Sequence, residues 1–295
     1  MDPASWRERL AAYCGAFGVR VSGAALEAMR IHWELVRRAR GRVNLTAITE
    51  DDEALVRHYL DSLMALAVGE AWPEEGVLVD LGSGAGFPGI PLLLALGPRW
   101  RGLLLEAQRK KARFLAEAVA TLGLAERVTV QARRAEEAGH DRQWRGRAAA
   151  VVARAVAPLA VVVEYGLPFL GVGGRLWAYK GPRVEEERTA AEQAARMLGG
   201  RLAALHGFRL PGGAGERVIV EVVKERPTPE AYPRRPGVPA RRPLGGGPAA
   251  GGRFGMTASR PGGEGLGRAG GGAAGGGVRA PGWAGRAAGA GRGTR

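Results

Sequence analysis

The chain has 295 residues, 46% of them apolar, enough for one large domain or two ordinary ones with a sizeable core. Its single cysteine, Cys14, excludes a disulfide framework and a cysteine-based zinc site and fits a reducing, cytoplasmic setting. The net charge of +14 points to a polyanionic partner, though it is unevenly spread: residues 245–295 hold 7 arginines against one acid, Glu264.

The start, MDPASWRERLAAY, lacks an apolar stretch, so no signal peptide is expected. The longest apolar candidate, residues 148–170, is interrupted by Arg154, Pro158 and Glu164, which argues against a membrane span. Residues 1 to about 70 read as helical. Ser22 can cap a helix from Gly23 to about Arg40 with Leu26, Met29, Trp33 and Val36 on one face. A second opens at Thr49-Glu50-Asp51-Asp52 and runs to Ala67, with Leu55, Tyr59, Leu63 and Leu66 inward.

From Gly76 short aliphatic strands alternate with helices. Strands are predicted at residues 77–81, 102–106, 128–132, 149–154, 175–179, 202–209 and 218–224, and helices at 89–96, 109–122, 158–170 and 184–198. Alternation with fully apolar strands argues a parallel, doubly wound α/β sheet. The last two strands are joined by PGGAG, a hairpin, so one edge strand is expected to run antiparallel. Seven strands ending in a hairpin is the Rossmann-like layout of class I methyltransferases. The division expected is a helical region (1–70), a methyltransferase domain (71–244) and a Gly/Arg-rich tail (245–295). The tail holds 21 of the 48 glycines and no apolar periodicity, so it is expected to stay disordered. A reading-frame artefact of a GC-rich gene is the favoured explanation of it, a weakly RNA-binding tail the other.

The strongest motif is VDLGSGAGFPG, residues 79–89, at the end of the first strand. Its glycines allow a sharp turn and bring backbone N–H groups close to a ligand. Gly84-x-Gly86-x-x-Gly89 formally matches a dinucleotide fingerprint, and Glu106 lies about 20 residues on, where an acid can hold ribose hydroxyls. Asp80 tips the balance to S-adenosylmethionine. A carboxylate just ahead of the glycines attracts that cofactor's ammonium and repels a pyrophosphate. Pro88 and Pro91 also set the helix start without offering N–H groups to a diphosphate. After the third strand, Ala135 would supply a backbone N–H and Glu136 a carboxylate to an adenine, with a solvated helix start as the equal alternative.

The fourth strand ends at Arg154, a costly charge in an apolar run unless a ligand or phosphate uses it. The polar-Pro-Pro-aromatic motif of adenine amino methylases is missing there, and Cys14 lies far from any pyrimidine-C5 nucleophile position. Lys180 at the next strand end could meet RNA phosphate or simply be solvated. His58 and Asp61, at i,i+3, read as a satisfied polar pair or as residues facing the site, the structural role being favoured for His58.

NLT at 44–46, HYLDSL at 58–63, VDLGSGAGFPGIPL at 79–92, RRAEE at 133–137, ARAVAPL at 153–159 and YKG at 179–181 occur in that order. Together they resemble the bacterial RsmG (GidB) family over about residues 6–244. The resemblance implies methyl transfer from S-adenosylmethionine to one guanine N7 of 16S rRNA, guanine 527 in the usual RNA numbering; a cytoplasmic monomer is expected. The resemblance implies that Gly82 and Phe87 touch the cofactor in the first loop, where the motif itself makes Gly84 and Gly86 cofactor-binding candidates. Glu106 would hold the ribose, Ala135 and Glu136 the adenine, and Arg154 would sit between cofactor and guanine as the catalytic residue. A small-molecule methyltransferase and a non-catalytic RNA-binding protein are the competing readings.

Overall fold

A computed structural model describes residues 1–68 and 72–246; the tail expectation therefore lies, from residue 247 onward, outside the described residues. The N-terminal layer begins with α1 (Pro3–Ala16), whose first amides at Ala4 and Ser5 donate to the Asp2 carboxylate at 3.1 and 3.0 Å. Ser22 caps α2 (Gly23–Arg38) by accepting from Ala25 N, and the expected face of Leu26, Met29, Trp33 and Val36 is buried. Next, α3 (Asp51–Ala54) continues without a break into a π-helical segment (Leu55–Leu60), α4 (Asp61–Leu63) and a 3₁₀ turn (Met64–Leu66).

The sheet follows: β1 (Gly76–Leu81), α5 (Gly89–Leu96), β2 (Trp100–Leu105), α6 (Arg109–Thr121), β3 (Val128–Gln131), α7 (Ala135–Ala138) and β4 (Ala148–Arg154). Then come α8 (Leu159–Gly166), β5 (Leu170–Lys180), α9 (Arg188–Met197), β6 (Gly200–Leu210), β7 (Gly215–Lys224) and α10 (Val238–Arg241). The strand order is β3-β2-β1-β4-β5-β7-β6, and β7 alone runs against the rest. This is the class I methyltransferase sheet.

One expectation needs correcting: the antiparallel strand is not at the edge. β7 inserts between β5 and β6, and the edge is β6. Burial explains the choice. β7 carries the near-continuous apolar run VIVEVV and is buried along its second half, whereas β6 alternates between covered and exposed positions. Gly212 and Gly213 turn the hairpin at φ of +63° and +72°, a conformation other residues adopt with strain.

Two cores form, one on each face of the sheet. α1, α2, the helices after it, α5 and α6 cover one face, where Trp6, Met29, Trp33 and Tyr59 pack with Leu78, Leu104, Val152 and Trp177. α8 and α9 cover the other, on Val79, Leu103, Val151 and Leu176. Each fully buried side chain of this size contributes about 1.5–3 kcal/mol. The N-terminal helices thus share a core with the sheet. Because side chains alternate along a strand, the same parity sends Asp80 and Arg154, with Leu78 and Val152, toward the N-terminal helices. Glu106 follows two residues after Leu104 in that row.

Candidate active site

Strand order reverses between β1 and β4, and ligands of open α/β sheets bind in the crevice beyond the strand ends at such a point. The β1–α5 loop occupies that crevice. Gly82, Gly84 and Gly86 all have positive φ, at +67°, +57° and +100°. A Cβ on Gly84 would meet nothing closer than the Gly82 carbonyl at 3.9 Å, so the backbone there faces open space. A Cβ on Gly89 would stand 2.6 Å from Asp80 Oδ2 and 2.8 Å from Leu104 Cδ2, so helix and strand can approach only with glycine.

Asp80 is fully buried. Its Oδ2 accepts from Gly89 N at 3.0 Å, while its Oδ1 has no hydrogen-bond partner among the described residues. Ser83 Oγ lies nearby but donates to the Asp80 carbonyl instead, at 3.1 Å. Burial pushes the Asp80 carboxyl up to about 7 against weaker opposing effects of Ser83, Gly89 and Arg154. A buried carboxylate with one orphaned oxygen is costly, and a cationic ligand group relieves it. Glu106 accepts from Gly84 N at 3.0 Å through one oxygen and from Gln108 N at 2.8 Å through the other. Each oxygen retains acceptor capacity for a hydroxyl.

Sequence reasoning missed what fixes this loop from above. His32 on α2 is buried, with Nε2 2.8 Å from the Ala85 carbonyl and Nδ1 3.0 Å from Tyr59 Oη. Nε2–H therefore donates to the loop and Nδ1 accepts from the tyrosine. The signal was available: His32 falls three residues after Met29 on the inward stripe, and a polar group there needs a partner. The Phe87 side chain points into the same layer, stacked on His58 at 4.4 Å and edge-on to Tyr59 at 5.1 Å.

Arg154 lies over Phe87, its Cζ 5.4 Å from the ring centroid. Its Nη1 donates to the Arg57 carbonyl at 3.1 Å and to Asp61 Oδ2 at 2.9 Å. Its Nη2 and Nε make no hydrogen bond among the described residues, so one edge of the fork stays available. The ion-pair reading of this residue is met by Asp61, and the free edge leaves room for a ligand contact as well. The next residue, Ala155, has φ of +57°, rare for a residue with a Cβ and a common mark of functional loops. The second carboxylate oxygen of Asp61 is 3.8 Å from Arg217 Nε on β7.

The remaining expected residues are placed as follows. His58 and Asp61 do not pair: His58 Nε2 meets Thr46 Oγ1 at 2.8 Å and Asp61 meets Arg154. Lys180 is committed to Glu187 Oε2 at 2.8 Å and to the Ala157 carbonyl at 3.1 Å, which ties the loop after β4 to the end of β5. Glu136 is buried and accepts from Gly237 N at 3.0 Å, so its carboxylate braces the C-terminal segment. Ala135 opens α7 beside it. Cys14 is buried with its thiol pushed up to about 12, unsuited to nucleophilic attack.

The model for the family GidB, rRNA small subunit methyltransferase G, matches residues 25–215. The chain belongs to the rRNA small subunit methyltransferase G family. A protein of that name from Symbiobacterium thermophilum is 44% identical over 248 residues, 83% of this chain and 100% of the relative. Another, from Pelotomaculum thermopropionicum, is 45% identical over 77% of this chain and 94% of its own length. A third, from Deinococcus radiodurans, is 45% identical over 71% of this chain and 82% of its own. As a small subunit methyltransferase G family member, the chain uses S-adenosylmethionine, and the crevice fits it. The orphaned Asp80 oxygen suits an ammonium, the acceptors of Glu106 suit ribose hydroxyls, and the open side of Gly84 leaves room.

Two expected results follow. Glu106→Ala should weaken S-adenosylmethionine binding by about 1–3 kcal/mol, the scale of hydrogen bonds to a charged group. Titration calorimetry reads it, and unchanged affinity would remove Glu106 from the site. The second concerns pH. Because free Asp80 has its carboxyl raised to about 7, a cofactor ammonium that needs it ionised binds more weakly below that value. Affinity should fall roughly tenfold per pH unit below 7, and Asp80→Asn should flatten the profile; a flat wild-type profile would contradict the ammonium assignment.

Histidine burial has the opposite sign. Burial lowers His32 to about 4, and burial with the Arg154 charge lowers His58 to about 3. The unfolded chain takes up these protons near pH 6.5 and the folded one does not, so stability falls as pH drops below 6.5. The limit is about 1.4 kcal/mol per unit for each histidine, partly offset by Asp80, which favours the folded state as pH falls through 7. Denaturation at pH 6.5 and 5 should show a net loss on the order of 2 kcal/mol, and a gain would overturn these burial assignments.

Proposed function

We propose that this chain transfers the methyl group of S-adenosylmethionine to N7 of a guanine in small-subunit rRNA, guanine 527 by the family resemblance, acting as a monomer in the cytoplasm. The relatives' names carry the substrate class, and the basic balance of the chain agrees with it. Among the described residues no helix is long and apolar enough to cross a membrane.

One observation carries the cofactor half of the reading. A dinucleotide pyrophosphate would sit on the first amides of α5, but Gly89 N donates to Asp80. That end of the crevice therefore presents a carboxylate, which repels phosphate and attracts an amino group. When bound, S-adenosylmethionine supplies an electrophilic methyl on a sulfonium.

The protein's part is placement. Guanine N7 has an in-plane lone pair and needs no deprotonation, so no general base is required. The two histidines nearest the loop are held neutral, His32 bonded through both ring nitrogens and His58 through Nε2, consistent with that economy. Alignment of the acceptor with the methyl donor then carries the rate. The free edge of Arg154 is suited to guanine O6. Its other side, held by Asp61 and Arg57, keeps the fork from swinging away. N7 lies deep in the narrow major groove of A-form RNA, so the target must be a loop or splayed-out base.

Labelled S-adenosylmethionine incubated with 16S rRNA and with small subunits should place label on RNA, with salt-sensitive rates. Label appearing only on a small molecule, insensitive to salt, would replace this reading with the small-molecule alternative. Binding without transfer would leave a non-catalytic RNA-binding protein.

A further inference from the structure

The first turns of α6 carry RKKAR: Arg109, Lys110, Lys111 and Arg113, four cations within five residues. Two of the four lysines in the whole chain fall here. Arg109, Lys110 and Arg113 are exposed, and none of the four makes an ion pair or side-chain hydrogen bond among the described residues. Other exposed arginines, Arg20, Arg40, Arg42 and Arg183 among them, also lack a partner among the described residues; what sets α6 apart is four unpaired cations within five residues, where elsewhere acids neutralise several. Arg30 pairs with Glu27 and Glu34, Arg188 with Glu185 and Glu192, and Arg201 with Glu225.

The placement is also electrostatically unfavourable for the free protein. The N-terminus of a helix carries partial positive charge and favours acids, yet the first turn of α6 has no acid and several cations. Helix formation does not ask for them, because Phe114, Leu115, Ala118 and Val119 supply the buried face. A cluster that the fold neither uses nor neutralises is open to an external anion.

Its position decides which one. Arg109 follows Glu106 by three residues, and Gln108 N between them helps hold the Glu106 carboxylate that in turn holds Gly84. The cluster therefore stands at the lip of the crevice that takes the cofactor. We infer that the start of α6 is an RNA-docking surface, on which Arg109, Lys110 and Arg113 meet successive phosphates flanking the target base. The inference rests on the proposed action on rRNA and adds where the strand is gripped. Contacts to phosphate position an RNA without reading its sequence, which suits a site whose selectivity lies in the base pocket.

The test compares Arg109→Gln/Lys110→Gln with a control of equal charge change, Arg99→Gln/Arg101→Gln, at the opposite end of β2. Binding of full-length chain to a 16S rRNA transcript is measured against salt concentration. Each phosphate contact contributes about 0.7–0.9 to the slope of log affinity against log salt. The α6 variant should lose roughly 1.4–1.8 from that slope, with cofactor affinity unchanged and turnover at saturating RNA preserved. The control should lose markedly less. Equal slopes for the α6 variant and wild type would overturn the docking surface alone. Equal losses in both variants would also overturn it, since the effect would then be one of total charge. Failure of wild-type chain to bind or methylate the RNA would instead bring down the reading beneath it.

Discussion

Arg154→Ala should lower methylation per folded molecule by roughly 10²–10³-fold, the scale seen when one preorganised charged donor is removed from a reacting centre. The same change should cost stability, because it strips Asp61 of its 2.9 Å partner and leaves a carboxylate only 4% exposed. A loss of about 1–3 kcal/mol is expected, below the full cost for a buried pair because Arg217 approaches the other oxygen at 3.8 Å. Lysine separates the two effects. Arg154→Lys can still satisfy Asp61 and should restore most of the stability. It cannot place a second donor edge toward the base, so activity should stay low. Asp61→Asn, which removes the charge and keeps an acceptor, should relax Arg154 and give a smaller activity loss. In an Arg154→Ala background it should cost no further activity. Wild-type turnover in folded Arg154→Ala would reduce the residue to an ion pair that ties β4 to the N-terminal helices.

Gly84→Ala should abolish usable cofactor affinity while the protein stays folded. The added methyl meets no protein atom nearer than 3.9 Å, so packing is undisturbed, and the backbone cost of φ near +57° is about 1–2 kcal/mol. If the cofactor backs onto this loop, as the proposed site has it, the methyl fills that space and binding should weaken on the order of 100-fold or more, as expected for a blocked near-contact position. Gly89→Ala makes the contrast. Its methyl would press on Asp80 and Leu104 at 2.6–2.8 Å, so melting temperature should drop first, by an amount equivalent to roughly 1–3 kcal/mol. Near-native calorimetric affinity in Gly84→Ala would mean that the cofactor does not lie against this turn.

The fold was legible because its signals are local and repeated. Strand periods at residues 77–81 and 149–154, the cap at Ser22 and the glycine run after β1 each have one cheap structural solution. The order of β6 and β7 was not legible. A hairpin announces two paired strands but not which of them meets β5; that depends on which face-pair the helices can bury. At the candidate site, the sequence singles out Asp80, a charge just ahead of the glycines, and Glu106, a charge at a strand tip, and the structure places both against the β1–α5 loop. Glu136 was read as an adenine contact or a solvated helix start, and neither reading anticipates its burial. Its actual partner, Gly237 N, is about a hundred residues away, and no local pattern records such a contact. The Arg154–Asp61 pair was half legible. Both residues stood out, yet their pairing needs the N-terminal helices laid across the sheet, a long-range event driven by burial of Trp6, Trp33 and Tyr59. His32 was missed for the reverse reason: its apolar surroundings hid a polar task.

The most direct measurement is the chemical position of the transferred methyl. Small subunits or 16S rRNA lacking the modification would be incubated with the chain and labelled S-adenosylmethionine. The RNA would then be digested and the labelled nucleoside identified by mass spectrometry, with its position mapped. The proposed arginine fork at O6, with no general base required, predicts 7-methylguanosine at one site, and initial labelling roughly 10²–10³-fold slower in Arg154→Ala. Label on an exocyclic amine, on a ring carbon or on a ribose hydroxyl, each of which requires a proton to be removed, would contradict it.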